Sequence, residues 1–174
     1  MLRPQDLIVL LKLVGTPKGS WTFASLGHEL GLSSSAVHRG LDRAAMGGLY
    51  QARGKVIVPG ALIELLLHGA RFVYPAVRRG EARGLPTAWA APPLSESLVF
   101  SRENAPVWPD AMGDVRGMAV EPLHHAVPDA VRRDHRLWEM LALFDSIRIG
   151  GPRERGLAGE ILEQRIDESA ESES

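Results

Sequence analysis

Apolar residues recur at helical spacing through the first third of the chain. Three stripes follow one another: Leu7, Leu10, Leu11 and Val14; Phe23, Leu26 and Leu30; and Val37, Leu41 and Ala44. Each stripe places its members on one face of a helix. Gly31 suits the left-handed end of the second helix, and Ser33 is placed to cap the third. The pattern predicts three short helices, the last two joined by a tight turn.

The segment from Thr22 to Leu49 carries a more specific signature. Its punctuated pattern consists of Leu26, Leu30, Gly31, Leu32, Ser33, Val37, Leu41, Ala44, Gly48 and Leu49. This register resembles the helix-turn-helix of winged-helix transcriptional regulators, the group that includes MarR-like and ArsR-like proteins. Two residues depart from that group: Gly27 stands where alanine is usual, and Ala44 where leucine is common. The resemblance covers this segment only, and it implies a helix that enters the DNA major groove.

A hairpin and one more helix are predicted next. Residues 50–58 alternate as strand, turn and strand, with Arg53, Gly54 and Lys55 in the turn. The resemblance implies that this hairpin is a wing that contacts the DNA backbone or minor groove. The apolar run from Ala61 to Leu67 predicts a further helix. Residues 1–68 are therefore expected to form a winged helix-turn-helix DNA-binding domain.

Residues 69–128 give weaker signals. Four arginines, Arg71, Arg78, Arg79 and Arg83, form a glycine-punctuated basic stretch, which either contacts phosphates or is a solvated loop. The rest is rich in proline and glycine but contains large apolar side chains that disordered linkers rarely hold. We expect an ordered, irregular segment with a few short strands or turns, packed on the core through Trp89 and Trp108.

The C-terminal third predicts two helices and a tail. One helix starts at Pro128 and ends at the Gly150-Gly151-Pro152 break, and the second spans residues 153–166. Residues 129–166 are thus expected to form a helical dimerisation or effector module, and the acidic residues 167–174 a disordered tail. The predicted fold class is mainly α with a small β-wing.

Composition narrows the setting. The chain has 174 residues and is 45% hydrophobic and 24% charged, which is typical of a globular protein. It has no cysteine, which excludes disulfides and thiolate metal sites and fits the cytoplasm. No apolar run is long enough to cross a membrane, and the sequence after Met1 does not suggest a signal peptide.

Charge divides the chain into two unequal halves. Residues 1–84 hold eleven Lys and Arg against five Asp and Glu, whereas residues 85–174 hold nine against sixteen. Such asymmetry suggests a half that faces nucleic acid and a half that faces another partner. Uneven solvation alone is the alternative explanation.

The third helix and the wing carry the candidate DNA contacts. Serine hydroxyls at the helix start can donate to phosphate, and an arginine can hold guanine through a bidentate pair. Arg39 or Arg43 is expected to do so, with Asp42 orienting either one. Wing cations add salt-dependent attraction. The predicted DNA-binding residues are Ser33, Ser34, Ser35, His38, Arg39, Arg43, Arg53 and Lys55.

Other chemistries have little support. The histidines and aspartates at 124–135, namely His124, His125, Asp129, Asp134 and His135, match no short metal-ligand spacing. Ser95, Ser97 and Ser101 lack the context of a serine hydrolase nucleophile. We therefore expect no metal site, no cofactor and no enzymatic activity.

The sequence predicts a sequence-specific regulator that binds double-stranded DNA, as a homodimeric repressor with recognition helices about 34 Å apart. The alternative is an antitoxin-like protein whose residues 85–174 neutralise a partner protein while the chain regulates its own promoter. A third hypothesis is regulation by a ligand in a pocket lined by Trp89, Trp108 and Trp138.

Overall fold

A computed structural model describes residues 1–172 and shows a mainly helical chain with small sheets. The helices and the hairpin of the N-terminal part occupy the positions that the apolar pattern predicts. They are α1 (Pro4–Leu13), α2 (Phe23–Leu30), α3 (Ser34–Met46), β1 (Tyr50–Gln51), β2 (Val56–Ile57), α4 (Pro59–Glu64), a π-helical turn (Leu65–Gly69) and α5 (Ala70–Val73). β1 and β2 pair in antiparallel fashion, with Tyr50 opposite Ile57.

Three further strands close into a small ring in which each strand pairs with the other two. They are β3 (Arg78–Pro86), β4 (Pro106–Pro109) and β5 (Val115–Val120). β3 is antiparallel to both partners, and β4 runs parallel to β5. Short 3-10 turns at Ala88–Ala90, Leu94–Glu96 and Arg102–Asn104 connect β3 to β4. The expectation of short strands and turns is confirmed, but most of the basic stretch is a strand and not a loop.

The strand ring closes at Gly84. This residue is opposite Pro109 in β4 and Val115 in β5. A Cβ atom here would lie 1.9 Å from the carbonyl oxygen of Trp108. The absence of a side chain therefore allows the two backbones to approach each other.

The C-terminal part consists of α6 (Val127–Arg133), α7 (His135–Ile149) and α8 (Pro152–Ser172). The prediction of one helix from Pro128 to Gly150 is wrong at Asp134, which has extended backbone. Its carboxylate accepts a hydrogen bond from the Leu137 amide at 3.0 Å and so caps α7. This cap ends one helix and starts the next.

The predicted disorder of residues 167–174 is also wrong over residues 167–172, which continue α8. Ile166 and Ser169 are buried, and the Gly15 amide donates a hydrogen bond to the Ser169 hydroxyl at 2.6 Å. These contacts extend the packed face of α8, while its acidic side chains remain in solvent. Residues 173–174 lie outside the described part of the chain.

One hydrophobic core unites the N-terminal and C-terminal helices. A single cluster of buried side chains extends from Leu7 in α1 to Ile166 in α8. α1 is enclosed over most of its length, with residues 6–13 all buried. In α7, residues 140–147 are all buried. Residues 1–68 and 129–166 therefore share their interior, and α7 offers no free apolar face to a second copy.

A buried polar network ties the strand ring to α7. The Asp145 carboxylate accepts hydrogen bonds from Thr87 Oγ1 at 2.8 Å, Trp108 Nε1 at 2.7 Å and an Arg148 nitrogen at 2.7 Å. Arg148 Nε also donates to the Tyr74 carbonyl oxygen at 2.8 Å. Burial raises the pKa of the Asp145 carboxyl, and Arg148 with the other donors acts in the opposite direction. The network joins four separate parts of the chain.

The tryptophans of the ligand-pocket hypothesis support the fold. Trp108 is 1% exposed, and its indole nitrogen is bound to Asp145. Trp138 Nε1 donates to the Pro86 carbonyl oxygen at 2.9 Å, and Trp89 packs against the core. The indole nitrogens of Trp108 and Trp138 are thus bound to other parts of the protein and do not line a free pocket.

Candidate nucleic-acid interface

Local capping fixes the turn between α2 and α3. Thr22 caps α2, because its hydroxyl accepts from the Ser25 amide at 3.0 Å. Gly31 ends α2 with a φ of 66°, as its position in the sequence predicts. Ser33 caps α3 by accepting from the Ala36 amide at 3.1 Å. The starts of the two helices are thus fixed by the hydroxyls of Thr22 and Ser33, and the end of α2 by one left-handed glycine.

Gly27 allows the turn to pack closely on α2. A Cβ atom at this position would lie 2.6 Å from the Leu32 carbonyl oxygen and 3.2 Å from the Ser34 amide nitrogen. Both atoms belong to the backbone, so the turn itself would have to shift. The absence of a side chain at Gly27 therefore allows the turn to lie against α2.

Gly27→Ala is expected to lower the free energy of unfolding by about 1–3 kcal/mol through overpacking, although alanine favours helices. The matched control is Gly156→Ala in α8, where an added Cβ meets nothing within 4 Å. The control should gain up to about 1 kcal/mol from helix propensity. Urea denaturation followed by circular dichroism measures both. Equal stabilisation of the two variants would contradict the tight-turn account.

The outward face of α3 is polar, and its inward face is apolar. Val37, Leu41 and Ala44 are buried, as the periodicity predicts. The exposed residues on the other side are Ser34, Ser35, His38, Arg39 and Asp42, followed by Met46 at the end of the helix. The Ser33 hydroxyl is occupied by its cap and lies 3.3 Å from the Ser35 hydroxyl. Ser34, Ser35, His38 and Arg39 thus remain accessible to a ligand at this face.

Asp42 does not pair with either arginine. Its Oδ2 atom lies 3.0 Å from Nδ1 of His38, one turn earlier on the helix. The expectation that Asp42 orients Arg39 or Arg43 is therefore wrong. Arg39 forms no side-chain hydrogen bond or ion pair within residues 1–172, which leaves its guanidinium free for a partner.

Arg43 is turned into the protein. Its Nε and NH2 atoms donate to the two oxygens of Asp6 at 2.8 and 2.7 Å. Asp6 is 1% exposed and also accepts from the Arg3 amide at 2.7 Å. Arg43 is therefore removed from the predicted DNA-binding set, because its guanidinium compensates a buried carboxylate in α1. One sequence feature could have indicated this pairing: Asp6 is an acidic residue at the start of an otherwise apolar helix.

Aromatic contacts connect the hairpin tip to α3. Lys55 Nζ lies 5.5 Å from the centre of the Trp21 ring, and Trp21 meets Phe23 edge-on at 5.8 Å. Phe23 in turn meets the His38 ring edge-on at 4.8 Å. Arg53 and Lys55 are exposed at the hairpin turn, as predicted. The cationic tip and the polar face of α3 thus belong to one continuous surface.

A buried lysine in α1 connects α2 to α7. Lys12 in α1 pairs with Glu29 in α2 at 2.6 Å and with Asp134 at the start of α7. Burial lowers the pKa of Lys12, but the hydrogen bonds that Lys12 donates to the carboxylates of Asp134 and Glu29 outweigh it and raise that pKa overall. Burial likewise acts to raise the pKa of Asp134, and the hydrogen bonds from Lys12 and the Leu137 amide lower it overall.

The lowered pKa of Asp134 predicts a pH dependence of stability. A carboxyl group whose pKa is lower in the folded state than in the unfolded chain stabilises the fold above its ordinary pKa of about 3.9. That contribution is lost as pH falls through the folded-state pKa. The difference in unfolding free energy between wild type and Asp134→Asn should therefore shrink on acidification. Asp129→Asn, which alters a side chain that is 80% exposed, is the control; a constant difference for Asp134→Asn would contradict the assignment.

The arginines of the basic stretch and the histidines and aspartates at 124–135 do not come together as binding sites. In the basic stretch, Arg79 pairs with Glu121 and Arg78 binds the Ile149 carbonyl oxygen. The His124 and His125 rings lie 4.1 Å apart; burial lowers the pKa of His124, and His125 adds to that effect. Asp134 is held by Lys12, and His135 by Glu139. Within residues 1–172, no group of three or more His, Asp or Glu side chains is placed to hold a metal ion.

Comparisons with known proteins add no family assignment. No protein-family model matches the chain, and no curated protein or solved structure matches it either. Among the described residues, no helix has the length and apolar character required to span a membrane.

Proposed function

We propose that this chain is a sequence-specific regulator that binds double-stranded DNA, with α2, its turn and α3 as a helix-turn-helix and the β1–β2 hairpin as its wing. One observation carries the proposal. The contacts from Lys55 through Trp21 and Phe23 to His38 place the hairpin tip and the exposed face of α3 on one surface. A helix and an adjacent cationic hairpin are the elements with which a winged helix contacts a groove and the flanking backbone.

In this proposal α3 enters the major groove. Arg39, whose guanidinium has no partner among residues 1–172, holds guanine O6 and N7. Ser34 and Ser35 donate to phosphate near the α3 N-terminus, where the helix dipole favours an anion. Arg53 and Lys55 contact backbone phosphates and release bound counterions. Sequence recognition is thus assigned to α3, and most of the salt-dependent attraction to the hairpin.

Fluorescence anisotropy with a selected duplex and a random duplex tests this division of roles. Arg39→Ala should reduce the preference for the selected duplex roughly tenfold. Arg53→Ala should lower the affinity for both duplexes by the same factor. It should also reduce the slope of log affinity against log salt concentration by about 1. Arg153→Ala removes an equal charge from the exposed start of α8 and should change neither. Indistinguishable affinity of wild type and Arg39→Ala for every duplex would refute the role of α3.

We further propose that two copies bind a palindromic site and act as a repressor, because one such module contacts few base pairs. The burial of α7 requires that the copies meet through another surface, or only on DNA. A titration of palindromic and half-site duplexes, with the mass of each complex measured in solution, separates these cases. A single copy bound to the palindrome at saturation would argue against the dimer.

A second candidate function is the neutralisation of a basic protein, as in antitoxin-like proteins. It is favoured by the carboxylates exposed on α8, which are Glu160, Glu163, Asp167, Glu168 and Glu171. Because residues 85–174 share their core with α1, the full chain is the proper bait. A neighbouring gene product retained by the wild type and released by Glu163→Lys with Asp167→Lys would support this function. Equal retention by both proteins would oppose it.

A further inference from the structure

His38 and Asp42 lie one turn apart on the exposed face of α3, with the imidazole facing the carboxylate. Their Nδ1 and Oδ2 atoms are 3.0 Å apart, and the side chains are 54% and 59% exposed. An ionised carboxylate can only accept hydrogen bonds. At 3.0 Å a lone pair on Nδ1 would be repelled by the carboxylate, so a neutral His38 ring facing Asp42 carries its hydrogen on Nδ1 and has a lone pair on Nε2.

The His38 ring is also held from the side of α2. The Phe23 ring meets it at an interplanar angle of 69° and a centroid distance of 4.8 Å. Asp42 thus fixes the tautomer, while Phe23 restricts the plane of the ring. Nε2 forms no hydrogen bond within residues 1–172, and it diverges from the Nδ1–Asp42 direction because the two nitrogens occupy different sides of the ring. It is the polar atom that His38 offers to a ligand.

The charged groups near His38 come from its own helix and from two neighbouring elements. Asp42 is in direct contact, and Arg39 is adjacent in sequence. On the hairpin, Lys55 lies over Trp21 and is separated from His38 by two aromatic rings. On α2, Phe23 makes the contact, and Glu29 is engaged by Lys12. Asp42 is thus the charged group that contacts the His38 ring.

We propose that Asp42 positions His38 so that one imidazole nitrogen recognises one base in the major groove, with the protonation state of the ring setting which base. This inference rests on the proposed DNA-binding function. In the neutral ring Nε2 is an acceptor and suits the exocyclic amino group of adenine or cytosine. In the protonated ring Nε2 is a donor and suits O6 or N7 of guanine. Asp42 is a positioning residue, and His38 is the residue that contacts the base.

The tautomer can be measured without DNA. Nitrogen-15 NMR of the free protein at about pH 8 should show the His38 hydrogen on Nδ1 in the wild type. Asp42→Ala should shift the ring towards the other tautomer. Asp167→Ala, which removes an equal charge from an exposed position on α8, should leave it unchanged. An identical tautomer with and without Asp42 would overturn its positioning role.

Selection from randomised duplexes at about pH 8 and about pH 5 tests base choice. One position of the wild-type site should change from adenine or cytosine to guanine, with a preference of roughly tenfold in each case. His38→Ala should abolish the change, and His28→Ala, which removes an exposed imidazole from α2, should retain it. Binding with the same base preference at both pH values would overturn this inference alone. Failure of the wild type to retain any duplex, at either pH, would overturn the DNA-binding proposal as well.

Discussion

Arg43→Ala is expected to lower the free energy of unfolding by about 3–5 kcal/mol, whereas Arg39→Ala on the same helix should change it by no more than about 0.5 kcal/mol. The reason is the environment of Asp6, which is 1% exposed and receives both donors of Arg43. Without Arg43, a carboxylate remains buried with the Arg3 amide as its one other donor among residues 1–172. Arg39 has no such partner to abandon.

Chemical denaturation of the two variants measures this difference. A double variant, Asp6→Leu with Arg43→Met, should recover much of the loss, because an apolar pair requires no compensation of buried charge. Equal stability of Arg43→Ala and Arg39→Ala would show that the Asp6 carboxylate is not dependent on Arg43. The result also bears on DNA binding, since weak binding by an Arg43 variant would report a damaged fold and not a lost base contact.

Gly84→Ala is expected to cost about 3 kcal/mol or more, at the upper end of the range for overpacked interiors. The new Cβ would collide with the Trp108 carbonyl oxygen at 1.9 Å, and a backbone atom cannot move aside as a side chain can. Displacing Trp108 would also disturb the hydrogen bond from its indole nitrogen to Asp145. The damage should therefore spread from the strand ring to the buried network on α7.

Gly80→Ala is the matched control, because Gly80 belongs to the same strand and an added Cβ there meets nothing within 4 Å. Thermal denaturation should separate the two variants clearly. Near-ultraviolet circular dichroism should show an altered tryptophan signal in Gly84→Ala and a wild-type signal in Gly80→Ala. A Gly84 variant with wild-type stability and spectrum would mean that the ring can open at little cost.

Local signals explain why the helix pair and the hairpin were predictable. Gly31 and Ser33 act within a few residues of their own positions, so their effects are encoded in the neighbouring sequence. The apolar stripe of α3 likewise defines its buried face without reference to the rest of the chain. The same locality placed Arg53 and Lys55 at an exposed turn. These parts of the candidate site could be predicted from the local sequence pattern.

Long-range contacts explain what periodicity missed. Arg43 lies next to the exposed part of α3, and its partner Asp6 is 37 positions away, so spacing alone gave it the wrong role. Ser169 belongs to an acidic segment that is typical of disorder, yet Gly15 holds it. The strand ring depends on pairing between residues that no local pattern connects, and on one glycine at their crossing. Asp42 was predicted to orient Arg39 or Arg43, but the side chain that it contacts is His38.

The ion pair between Lys12 and Asp134 joins residues 122 positions apart, and α7 covers the helix that carries Lys12. During synthesis, helices α1 to α3 therefore emerge from the ribosome well before the segment that completes their interior. Their apolar side chains are expected to stay exposed until the last helices are made, a situation that favours slow folding and recruits chaperones. A truncation that ends before α7 should accordingly leave an insoluble fragment and not a smaller DNA-binding domain.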